Sequence, residues 1–160
     1  MRYLAWTFLL LIALSSHICR ADMLCPWINK ATAFGVLGTS EDSPRVNSEI
    51  NATECVFTYH TESGLRELRI TVVQSKGPEQ TYSAHLSLCG SGGTALLGIG
   101  NEAIACITNK NGRSGEVIGR VRDNVFTILL STTASEPSTS RDLLMQKLGL
   151  VAEQVSGNLF

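Results

Sequence analysis

The stretch from Leu88 to Cys106, LCGSGGTALLGIGNEAIAC, gathers glycines 90, 92, 93, 98 and 100 between two cysteines. Glycine-rich turns can cradle a phosphate, because backbone N–H groups reach an anion where no side chain intervenes. That chemistry needs more than glycine. A P-loop carries a lysine and then a serine or threonine after its last glycine. Here Gly98, Ile99 and Gly100 lead into Asn101 and Glu102. A dinucleotide fingerprint runs from a strand into a helix. The residues after Gly100 have strand character instead, and Glu102 would repel a phosphate. No nucleotide and no other cofactor is expected. His60 and His85, with Glu54 or Glu62, are metal-ligand types. They are too few and too widely spaced to be read as a metal site.

Ser91 is the one residue placed like a nucleophile. Its surroundings, Cys89-Gly90-Ser91-Gly92-Gly93, resemble those of the serine in chymotrypsin-like proteases. The resemblance is short. The preceding aspartate is missing, and the chain is too short for two barrels. A lipase elbow requires glycine two residues before the serine, where this chain has Cys89. Paired carboxylates cannot be picked out from fourteen scattered acids. No catalytic residue is assigned. The reading is a non-enzyme, with a small hydrolase using Ser91 or a histidine as the alternative.

The first 21 residues, MRYLAWTFLLLIALSSHICRA, have a basic start, an apolar run from Leu4 to Leu14 and small residues before Ala21. That is the layout of a secretory signal peptide. The apolar run is about half the roughly 20 residues that span a bilayer. Contact with a membrane is therefore expected only through this leader, or through lipidation at Cys19, where His17 and Ile18 fit poorly. Cleavage would leave 139 of the 160 residues, 22–160, enough for a single domain with its own core. The leader holds two of the thirteen basic residues and no acids, so the rest carries a net charge of −3. That excludes a nucleic-acid binder reliant on a basic surface. The expected location is periplasmic or extracellular.

Four cysteines follow the leader: Cys25, Cys55, Cys89 and Cys106. An even number in an exported chain points to disulfides. Three pairings are possible, and the sequential one, Cys25–Cys55 with Cys89–Cys106, is favoured. Its loops of about 31 and 18 residues would each contribute roughly 3 kcal/mol in the chain-entropy treatment.

The elements that would position these residues follow from periodicity. CPWINKATAFGVLG reads as a helix with Pro26 in its first turn and Trp27, Ala31, Phe34 and Leu37 on one face. Residues 39–53 read as a polar loop, in which Asn51-Ala52-Thr53 is a glycosylation sequon. CVFTYHT and LRELRITVV alternate around an ESG turn, which predicts a hairpin with Leu68, Ile70 and Val72 inward. EQTYSAHLSL predicts a helix. AIACITN, GEVIGRVR and VFTILLST predict three strands, the last two joined by a tight turn at Asp123-Asn124. Ser140 caps a final helix over 141–157 with Leu144, Leu148, Val151 and Val155 as its stripe. The order α-β-β-α-β-β-β-α suits an α+β fold. Its antiparallel sheet would have about five strands, with helices packed on one side. The glycines at 90–100 would turn the chain between helix and strand, with Gly100 at positive φ.

Several of these pieces together resemble a family of bacterial secreted proteins and lipoproteins, the domain-of-unknown-function family numbered 3558. CPWINKATAFGVLG is similar to its opening Cys-Pro helix. CVFTY looks like its next landmark, and GIGNEA like its Gly-x-Gly-Asp-Glu-Ala turn with Asn101 in place of aspartate. VIGRVRDNVFTILL is similar to its late hairpin. The resemblance implies a PsbP/Mog1-like fold and a Cys25–Cys55 disulfide, and it implies no activity. The combined reading is a small exported, disulfide-stabilised domain. It would bind a ligand or an envelope partner through a sheet face or the loops at 39–53 and 89–101. A structural subunit of an envelope assembly is the other alternative.

Overall fold

The computed structural model describes residues 24–39, 43, 46–90, 92–109, 113–133 and 140–160. The leader and Ser91 lie outside the described residues. The elements in chain order are α1 (Lys30–Leu37), β1 (Val46–Ile50), β2 (Glu54–His60), β3 (Leu65–Gln74), α2 (Pro78–Cys89), β4 (Thr94–Ala95), β5 (Glu102–Ile107), β6 (Ser114–Val121), β7 (Asn124–Thr132) and α3 (Arg141–Leu159). The fold is α+β. All the strands pair antiparallel in one sheet, in the order β1-β2-β3-β7-β6-β5-β4. Two meanders thus meet at the β3–β7 seam.

Among the described residues, seven strands replace the expected five. β1 lies in the stretch read as a loop. Its sequence, VNSEI, has little apolar content, but it pairs along β2 from Val46↔Tyr59 to Ile50↔Cys55. An edge strand with one exposed border tolerates such composition. β4 is two residues long and pairs with Ala105 and Ile104 of β5. The glycine-rich stretch is therefore a hairpin loop as well as a helix-to-strand turn. Gly100 does take positive φ, at +61°, and a Cβ there would run into the Arg120 carbonyl. That close approach lets Asn101 latch onto the next hairpin. Its N–H donates to Arg120 O at 2.8 Å, and its Oδ1 accepts from Arg122 N at 2.7 Å. The turn it holds is Arg122-Asp123, one residue earlier than expected, with Arg122 at φ 53°.

The helices also depart from a one-sided arrangement. α1 and α3 cover one face of the sheet, against β2, β3, β5, β6 and β7. That face supplies Cys55, Phe57, Leu68, Ile70, Val117, Phe126 and Ile128, each buried. α3 contributes Leu144, Leu148, Val151 and Val155, the stripe read from sequence, all buried. Ser140 Oγ accepts from Leu143 N and caps it. α2 packs on the opposite face, where Tyr82 meets Ile118 and Val125. The cause lies in β6, where Val117 and Val121 face one way and Ile118 the other, so both faces needed cover.

α1 starts later than expected. Asn29 is its N-cap, with Oδ1 accepting from Thr32 N at 2.8 Å, so Pro26 and Trp27 precede the helix. Ala33, Phe34, Val36 and Leu37 form its buried side, while Ala31 is exposed. Trp27 is still buried, in the segment before the helix. Cys25 is bonded to Cys55 and Cys89 to Cys106. The first ties the N-terminal segment to β2, and the second ties α2 to β5.

Candidate functional site

A hollow lined by three cations forms where α1 ends. A helix leaves its last carbonyls without intrahelical partners, and the end carries partial negative charge. Gly38, at φ +78°, turns the chain so that Gly38 N and Thr39 N return to Gly35 O and Phe34 O. Two carbonyls remain. Lys147 Nζ, from α3, donates to Val36 O at 2.7 Å, and an Arg66 guanidinium nitrogen, from β3, donates to Leu37 O at 2.8 Å. The positive φ favours glycine at 38, and a side chain there would displace that guanidinium.

Adjacent carbonyls hold the two cations side by side. Burial first, and the Arg66 charge second, lower the Lys147 pKa below the ordinary lysine value. Arg113, just before β6, joins them. Its carbonyl accepts from Thr132 N at 3.1 Å, and Thr132 stands opposite Arg66 in the ladder. Arg66, Arg113 and Lys147 together line a cavity of about 30 Å³, whose wall is completed by Val36, Leu37, Leu130 and Leu144 and by the hydroxyl residues Ser131 and Thr132. No carboxylate lines it among the described residues. The Arg113 side chain makes no hydrogen bond or ion pair with a described residue, and Lys147 has two N–H donors beyond its helix-capping bond. The arrangement can bind and orient an anion.

Other candidates do not converge in this way. A larger hollow of about 490 Å³ beside Leu24, Ile28, Lys30, Gln154 and Asn158 borders the first described residues and has one cation on its wall. On the sheet face opposite α1, Arg69 donates to Glu54 at 2.8 Å and to Glu67 at 3.2 Å, so those charges satisfy each other. Arg120 does the same with Glu79 and Glu102.

His60 lies exposed at the end of β2, and His85 lies on α2, so the fold does not bring the two histidines together. Glu54 is engaged with Arg69. Among the described residues, no group of three metal-ligating side chains forms. His85 does face Glu116 of β6. Burial pushes the Glu116 carboxyl above its ordinary range, and the His85 charge opposes that shift. In the sequon, Asn51 Oδ1 accepts from Thr53 N and Glu54 N and so closes the β1–β2 turn.

Sequence reading did not single out Arg66, Arg113 or Lys147. A signal was present. Arg66 is in phase with Leu68, Ile70 and Val72; Arg113 with Val117; and Lys147 adjoins Leu144 and Leu148 on the helix. Charges in register with an inward face are expensive unless they are used.

No helix among the described residues is long and apolar enough to cross a membrane. No protein-family model matches this chain, and no match to it was found among solved structures.

Proposed function

We propose that this is an exported, disulfide-stabilised, non-catalytic domain that binds a small ligand in the cleft between α1, α3 and the β3–β7 seam. The observation that carries the reading is Arg113, an arginine lining a cavity that already holds two cations, with no hydrogen-bond or ion-pair partner for its side chain among the described residues. Capping α1 accounts for Arg66 and Lys147. It does not account for a third positive charge, whose repulsion the fold would otherwise avoid. Export is supported by the two disulfides, which persist in oxidising compartments. Kinship with the secreted family numbered 3558 belongs to the same proposal and rests on the motifs quoted above.

The test is a native mass spectrum of the protein purified from its own host without reductant. The expected species has lost the leader and four hydrogens and carries a small adduct that activation removes. A protein stably bound to another chain, with no small adduct, would replace ligand binding with an envelope assembly. Hydrolysis of ester or peptide substrates that Ser91→Ala abolishes would replace it with an enzyme.

A further inference from the structure

Resting on the cleft as a binding site, we infer that its ligand is a small organic carboxylate, held by Arg113 and Lys147 with its aliphatic body against Val36, Leu37, Leu130 and Leu144. Three features choose this class. The charge is positive from three separate segments, β3, the residue before β6, and α3, which selects an anion. The rest of the described wall is the apolar Val36, Leu37, Leu130 and Leu144 together with Ser131 and Thr132, which suits an anion that carries an aliphatic body. A carboxylate has two oxygens, and a guanidinium meets both in one plane.

Size agrees with this. A cavity needs about 10–15 Å³ on this measure for one water, so about 30 Å³ holds a carboxylate head and little more. The body lies along the apolar wall outside it. Lys147 supplies a second point of attachment with donors that α1 does not use.

The experiment is a two-dimensional amide NMR titration of the protein with sodium butyrate, butan-1-ol and inorganic phosphate, at constant ionic strength and pH 7. Butyrate is expected to give saturable shifts at Leu37, Arg113, Thr132 and Lys147. Arg113→Gln should weaken that binding about tenfold or more, the size of one lost charge-assisted bond, without changing the fold. Lys147→Gln should weaken it as well. Shifts at these residues with butanol or phosphate but not butyrate would overturn the carboxylate and leave the cleft a binding site. No saturable shift with any of the three would overturn both. Butyrate binding that Arg113→Gln leaves intact would overturn the assignment of the residues.

Discussion

The two faces of this sheet are held to their helices by different means. The α1–α3 face is one continuous apolar core, in which Phe57, Leu68, Ile70, Phe126, Ile128 and Leu148 are fully buried. Phe34 meets Phe57 edge-on at 5.6 Å. The α2 face has a cluster of Tyr82, Ile118 and Val125, with Leu86 and Cys89 packed partly against it. Around that small cluster the fold adds directional ties, the Cys89–Cys106 disulfide and the Arg120–Glu79 pair at 2.8 Å. Where area is large, burial at about 25 cal/mol per Å² carries the helices, and the Cys25–Cys55 bond ties down only the segment before α1. Where area is small, a covalent tie replaces burial. The cleft lies at the rim of the well-packed face, so its cations are carried by elements that pack into the larger core.

The sharpest way to break this contrast is to damage each face in turn. Phe126→Ala should cost about 3–5 kcal/mol in urea unfolding, the usual loss for a large core aromatic. It should lower protection from hydrogen exchange throughout the sheet. The double change Cys89→Ala with Cys106→Ala should cost up to about 3 kcal/mol. Its signature is local. Amides of α2 should exchange fast while those of α3 stay protected. Equal loss across both helices would mean that the faces are not independently held.

Smaller effects refine the picture. Glu116 on the α2 face keeps its proton to higher pH in the folded protein than in the unfolded chain, because burial raises its pKa. Stability should therefore fall as pH rises from the ordinary carboxylate range through the folded value. Glu116→Gln should remove that slope in a pH series of thermal melts and add about 0.5 kcal/mol at neutral pH. On the other face, Arg113→Gln should change stability by less than about 0.5 kcal/mol. A larger loss would show that the arginine supports the fold and would weaken the case for a ligand.

The same contrast explains what could be read from the chain. The hairpin of β2 and β3 and the stripe of α3 follow strict periods, because each has one face in a large core. β1 and β4 were hidden, since edge pairing rests on backbone hydrogen bonds that VNSEI and Thr94-Ala95 do not advertise. The side taken by α2 was hidden as well, because Tyr82 and Leu86 make too narrow a stripe to point anywhere. The Cys25–Cys55 and Cys89–Cys106 bonds join the pairs favoured by simple order along the chain. Ser91, the residue most like a nucleophile, lies outside the described residues. The cleft was present as three out-of-place charges, Arg66, Arg113 and Lys147. Their meaning needed the end of α1, which only the fold brings to them.

The most direct test of the cleft is hydrogen exchange of the whole protein with and without saturating butyrate. The account predicts slower exchange confined to the end of α1, the segments around Arg66, Arg113 and Thr132, and the turn of α3 at Lys147, with α2 unchanged. Unchanged exchange at the cleft, or protection gained only on the α2 face, would contradict it.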